Sequence, residues 1–205
     1  MKKKELFWKK AKKAAALFGA AFMLTAVMAG CGCAGTADQE NQVQESAAVE
    51  ETGYRDDVAC ADLQAAVAAE FGDNYWPNMD IPEEYLSETF GISADLYEEY
   101  VAQMPMISTN VDTLIIVKAK EGSEQAVEDA MNAYYKVNTE NAMQYPMNLG
   151  KVQAAQIKTF GRYVCFVQLG ADVMTQMEEG DAAVIAHCEQ ENARALDVIE
   201  GMLIK

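Results

Sequence analysis

Between Asp112 and Lys120 the chain reads Thr113-Leu114-Ile115-Ile116-Val117, an almost unbroken run of apolar, mostly β-branched side chains. Such residues favour extended backbone, and a strand without polar alternation is one buried on both faces. A domain built round it must find apolar cover on two sides, and helices supply that cover. Gly122-Ser123 opens one from Glu124 to about Asn141, with a stripe of Val127, Ala130, Met131, Tyr134 and Val137 or Asn138. Asp56–Phe71 gives a second, with Ala59, Leu63, Ala66, Val67 and Phe71 at helical spacing and Gly72-Asp73 as its stop. Asp181–Met202 gives a third, burying Ile185, Cys188, Ala195, Leu196, Ile199 and Leu203. A shorter turn over Asp172–Glu178 precedes it and breaks at Gly180.

Two further strands, Val152–Phe160 and Tyr163–Leu169, flank Gly161-Arg162. Glycine in the first central position suits a type II′ hairpin turn. That turn pairs Phe160 with Tyr163, Thr159 with Val164 and Ile157 with Phe166, which puts Ile157, Val164 and Phe166 on the core face. Asn74–Asn110 reads as mostly irregular, with short helices near Pro82–Glu88 and Ala94–Tyr100, the latter capped by Ser93. The expected fold is α+β: a small, mainly antiparallel sheet of one strand and a β-hairpin, covered by helices, in the order α-(α)-β-α-β-β-α.

The first 30 residues are of a different kind. Seven lysines lie within Met1–Lys13, and Ala14–Ala29 follows without a charge. A basic segment leading into an apolar one is the pattern of a secretory signal. Sixteen residues at ~1.5 Å each reach about 24 Å, short of a ~30 Å hydrocarbon core. Val27-Met28-Ala29-Gly30-Cys31 places two small residues directly before a cysteine and resembles the lipobox read by bacterial lipoprotein signal peptidase. The resemblance implies that Cys31 is diacylated on sulfur and becomes the mature N-terminus. Cys33 is a competing acceptor, and an uncleaved single anchor or ordinary secretion are the alternatives. Gly32–Thr52, with five acids, no Lys or Arg and no aromatic residue, reads as a solvated tether. The expected layout is a signal peptide over 1–30, a lipidated cysteine and linker over 31–53, and one domain over 54–205. That places the protein on the outer face of the cytoplasmic membrane, held to the bilayer through acylated Cys31.

Residues 31–205 carry 9 basic and 31 acidic groups, a net charge of −22. No field of that sign binds phosphate backbones, so nucleic acid is excluded as a partner. Several kinds of chemistry lack their residues. A serine triad needs a histidine; His187 is the one histidine, it reads as a helix residue at the core edge, and there is no G-x-S-x-G elbow. His187, Cys188 and Glu191 cluster on a helix, but the first two diverge by roughly 100° about its axis, a poor start for zinc. Asp80, Glu83, Glu84 and Glu88, and separately Glu178, Glu179 and Asp181, read as solvated acidic faces without the spacing of a calcium loop. Cys60, Cys165 and Cys188 lack a C-x-x-C arrangement and read as small core residues, with one disulfide at most. A two-carboxylate glycosidase leaves no linear signature, because its carboxylate separation is spatial. No cofactor or metal is expected.

The order of these features is similar to that of a known family. The lipobox and acidic linker lead to a helix and a Met- and Tyr-rich stretch. A strand ending Ile115-Ile116-Val117-Lys118-Ala119, a long helix and a hairpin through Gly161-Arg162-Tyr163-Val164 follow. Together they resemble Gram-positive lipoproteins carrying the domain of unknown function 4358, over about Asp56 to Leu203. The resemblance implies the location and one α+β domain, and carries no catalytic residues.

The working surface is expected in Tyr75–Met106, where aromatic and Met side chains lie on a path stiffened by Pro77, Pro82 and Pro105. Trp76, Met79, Tyr97, Tyr100, Met104 and Met106 are its candidate binding residues. Most aromatics of the segment are read as its own core, with Trp76 and Met79 expected to be exposed. The functional expectation is a non-enzymatic binding or accessory module with an envelope protein as partner. The alternatives are a small-molecule or ion receptor for a membrane transporter, and a small envelope hydrolase.

Overall fold

The structure is a computed structural model that describes residues 53–107, 109–140 and 144–205. The expected signal peptide, Cys31 and the expected linker lie outside the described residues.

Lys205 donates its backbone N–H to the Gly53 carbonyl at 3.2 Å, and Tyr54 forms a β-bridge with Ile204. The Tyr163 hydroxyl accepts the Val58 N–H at 3.1 Å and donates to the Val58 carbonyl at 2.6 Å. These ties keep the backbone before Cys60 out of a helix. The first helix, α1, is therefore Cys60–Phe71, four residues shorter than the periodicity suggests. A 3-10 turn over Gly72–Asn74, a two-residue strand β1 (Met79–Asp80) and helix α2 (Glu83–Phe90) follow. Gly91 ends α2 with φ +73°, a left-handed conformation that glycine adopts without steric cost.

Tyr97–Met104 forms a strand, β2, where a helix over Ala94–Tyr100 was expected. Ser93 caps no helix; its hydroxyl bonds the Asp95 carboxylate, and the Leu96 N–H returns to the Ser93 carbonyl in a turn. Strand β3 is Thr113–Ala119 and helix α3 is Glu124–Glu140. Helix α4 (Pro146–Ala154) was not foreseen, and it takes Val152 out of the expected strand. Strands β4 (Gln156–Phe160) and β5 (Tyr163–Gln168) come next, then helices α5 (Met174–Glu179) and α6 (Asp181–Leu203).

The five strands form one antiparallel sheet in the order β1-β2-β3-β5-β4, so the domain is α+β with more strands than expected. The hairpin register is the anticipated one, Phe160 with Tyr163, Thr159 with Val164 and Ile157 with Phe166. Gly161 takes φ +56° at its turn, the sign that a II′ turn requires in first position.

Five successive β3 side chains, Thr113 to Val117, are buried. Leu114 and Ile116 meet Leu63 and Val67 of α1 and Leu196 and Ile199 of α6 on one face. Ile115 and Val117 meet Leu86 and Phe90 of α2 and Val127 and Met131 of α3 on the other. Each such side chain contributes about 1.5–3 kcal/mol by leaving water. In the α3 stripe Asn138 is half-buried and Val137 is exposed. Among the described residues, no helix is long and apolar enough to cross a membrane.

Candidate functional site

Thr113 at the start of β3 lies opposite Gln168 at the end of β5, and this end of the sheet is open. A cavity of about 360 Å³ occupies it, walled by Met104 at the end of β2, by Met106 and Ile107 beyond it, by Tyr134 and Asn138 of α3, and by Gln168. Met79, Asn110 and Gln144 complete its rim. Among the described residues, none that lines it carries a charge, although residues 53–205 hold 26 acids and 9 bases. Its polar groups are side-chain amides and hydroxyls, able both to donate and to accept hydrogen bonds.

The local chain path explains how the methionines reach this end. Met79 and Met104 are directly opposed across the β1–β2 ladder. The Asn78 N–H donates to the Met104 carbonyl at 3.1 Å, and the Asn78 Oδ1 accepts the Met106 N–H at 3.0 Å. Asn78 thus folds the Met104-Pro105-Met106 segment back against Met79. Met79 is 38% exposed and Met106 is 73% exposed.

A smaller cavity of about 150 Å³ adjoins the first through Asn110, which lines both. Trp76, Met147 and Met174 stand at its wall and Lys151 at its floor. Lys151 and Asp112 form a buried ion pair, with Nζ 2.7 Å from Oδ1. Lys151 also donates to the Ala171 carbonyl at 2.5 Å, and its ammonium sits 5.4 Å from the centre of the Trp76 ring. The other carboxylate oxygen of Asp112 accepts the Ala171 N–H at 2.8 Å. Burial raises the Asp112 pKa above its ordinary value, and Lys151 with the backbone N–H groups of Ala171 and Gly170 holds part of that rise back. Asn148 donates to the Thr109 carbonyl, and Asn192 joins the Leu169 N–H to the Ala154 carbonyl. The buried polar side chains Asp112, Thr113, Asn148, Lys151, Gln168 and Asn192 all belong to this end of the sheet and the helices beside it.

Of the candidate surface residues, Met79, Met104 and Met106 come together on the larger cavity, and Trp76, 37% exposed, lies on the smaller. Tyr97 and Tyr100 do not join them. Tyr97 is buried at the far end of β2 with its ring edge-on to Tyr100 at 5.3 Å. The Tyr100 hydroxyl donates to the Ile81 carbonyl, so both tyrosines serve the core beneath α2. The sequence reading missed Asp112, Lys151, Tyr134, Asn138 and Gln168. From Asp112 to Gln168 they span 56 positions, and their association has no linear signal.

Cys60, Cys165 and Cys188 are free thiols in the core. Burial pushes the Cys60 thiol up to about 12 and the Cys188 thiol to about 11. His187 is half-buried on α6. Among the described residues, no three His, Cys, Asp or Glu side chains are grouped to hold a metal ion.

The segment before the domain joins at the opposite end of the sheet, where Tyr54 packs edge-on against Phe160 at 5.6 Å. The seven residues of β3 separate that end from the cavity by about 20 Å.

No curated protein and no solved structure matches the chain. Residues 70–169, which take in all five strands and every residue lining the larger cavity, match the family model of DUF4358, a domain of unknown function.

Proposed function

We propose that the protein is a lipid-anchored extracellular lipoprotein of the Gram-positive type whose domain is a non-enzymatic binding module of the cell envelope. The anchor rests on Val27-Met28-Ala29-Gly30-Cys31 after a lysine-rich, then apolar, leader. Two acyl chains hold a protein far more firmly than one, at about 0.8 kcal/mol per buried methylene. The binding role rests on one observation, the uncharged, methionine-rimmed cavity at the sheet end remote from the tether junction. Methionine side chains adapt to irregular partners, and a neutral surface in an acidic domain is where a partner docks without burying charge.

Two experiments test this. A fatty-acid analogue should label the wild-type chain and not Cys31→Ala, and an unlabelled wild type ends the anchor. A photo-crosslinker at Met106 should capture a defined envelope protein that the same crosslinker at Lys158 does not. Equal capture at both positions removes the cavity from the binding role.

A second reading, a receptor for a small molecule or ion, is favoured by the cavity's size, since ligand pockets start at about 300 Å³. A thermal-shift screen of neutral metabolites and ions with no hit disposes of it.

A further inference from the structure

We propose that Met79, Met104 and Met106 form a binding site for a soft monovalent cation, Cu(I) or Ag(I). The inference uses the same cavity as the binding reading but does not need a protein partner, so either can fail alone.

Three observations carry it. The first is convergence. Met79 faces Met104 across one ladder rung, Asn78 pins the Met106 amide beside them, and all three side chains line one cavity. Thioether side chains have three rotatable bonds, so three that start from neighbouring backbone positions can bring their sulfurs to one ion. The second is the donor set. Thioethers are soft, neutral ligands that select Cu(I), whereas calcium, magnesium and manganese require carboxylate or carbonyl oxygen. Among the described residues that line the cavity there is no carboxylate, so hard ions find no anionic ligand in that lining. The third is electrostatic. The surrounding domain holds 26 acids against 9 bases, which draws cations to a mouth whose described lining is neutral. Binding is simple coordination; the ion arrives as Cu(I) or Ag(I) and no electron moves.

The test uses the full chain carrying Cys31→Ser and Cys33→Ser, which leaves only the buried thiols of Cys60, Cys165 and Cys188, labelled with 13C at the methionine methyl groups. Silver nitrate in chloride-free buffer is the redox-inert probe. The methyl signals of Met79, Met104 and Met106 should shift together and saturate at one equivalent. Met147 and Met174 are 38% and 57% exposed on the neighbouring cavity and serve as internal controls that should stay still. Substituting Leu at any one of the three should weaken silver and anaerobic Cu(I) binding by at least about tenfold, as for loss of a supporting partner in other metal sites. Absence of shifts, equal shifts at all exposed methionines, or binding unchanged in a folded triple Leu variant each overturns the proposal. Should the triple variant fail to fold, the wild-type methyl titration decides alone. A partner captured through Met106 with no silver response would leave the docking reading standing and remove this one.

Discussion

Lys151 of α4 and Asp112 before β3 are 39 positions apart, yet their side chains meet at 2.7 Å with 3% and 0% exposure. Desolvating two charges costs more than a pair in water returns, so the pair holds only while both members are present. Asp112→Asn or Lys151→Met alone should destabilise the fold by about 3–5 kcal/mol in urea titrations. The double variant should cost much less than the sum, because no lone charge remains and the Asn carbonyl still accepts the Ala171 N–H. Additive losses would show that the pair is not coupled. Since burial raises the Asp112 pKa, its proton-linked stability is greatest below the ordinary value of 3.8 and is lost as pH rises through the folded value.

Ala171 has φ +46°, among the described residues the one non-glycine residue in the left-handed region. Both of its backbone polar groups are engaged, the N–H by Asp112 and the carbonyl by Lys151. The ion pair thus holds a backbone conformation that costs an L-residue about 1–2 kcal/mol. Ala171→Gly should remove that strain against a smaller entropic loss and raise stability by up to about 1 kcal/mol. Ala171→Val, β-branched at the same φ, should lower it. A melting temperature unchanged by both would mean that the conformation is unstrained.

Gly150 and Gly170 mark close approaches of backbone to side chain. A Cβ at Gly150 would stand 2.6 Å from Val184 Cγ1, and one at Gly170 would stand 2.7 Å from Cys188 Sγ and 3.3 Å from Lys151 Cε. Alanine at either position should cost about 1–3 kcal/mol through overpacking of α4 and the segment after β5 against α6. Gly201, with open space around its Cβ direction, is the control, and Gly201→Ala should not destabilise. Equal melting temperatures for all three variants would refute the close packing.

How much of this was readable in the chain depends on whether the signal was local. Gly161-Arg162 set the hairpin register because a two-residue turn leaves no freedom in pairing, and the Thr113–Val117 run demanded cover on both faces, which α1 and α6 on one side and α2 and α3 on the other supply. β2 misled for a physical reason. Tyr97, Tyr100, Val101 and Met104 recur at helical spacing, and a register shift between Tyr97 and Glu99 breaks the strand's alternation. α4 was hidden because its inward side chains include Asn148 and Lys151, polar residues that read as solvent-facing until Asp112 and Thr109 are seen beside them. Met79, Met104 and Met106 could be picked out as a group, but only the β1–β2 pairing and Asn78 show why they share a cavity while Tyr97 and Tyr100 do not.

The thiols give the last prediction. Cys60, Cys165 and Cys188 are unpaired, and all three are fully buried. A thiol-specific chromogenic reagent at pH 8 should find none of them in the native chain and all three in denaturant, with or without prior reduction. A shortfall without reductant would reveal a disulfide. Desolvation is the main cause of each raised thiol pKa, so the folded state resists forming thiolates that the unfolded chain forms freely above its ordinary value of 9.0. Stability contributed in this way is complete below that value and is lost as pH rises toward about 12 for Cys60 and about 11 for Cys188. For Cys60 alone the loss should be about 3 kcal/mol by pH 11, given roughly 1.4 kcal/mol for each pH unit above its ordinary value of 9.0. Burial raises Tyr75 to about 12 as well, which steepens the same slope above pH 10. Cys60→Ala should therefore flatten the alkaline limb of the stability curve while leaving the limb below pH 8 parallel to that of the wild type; an unchanged alkaline limb would mean that Cys60 ionises as easily folded as unfolded.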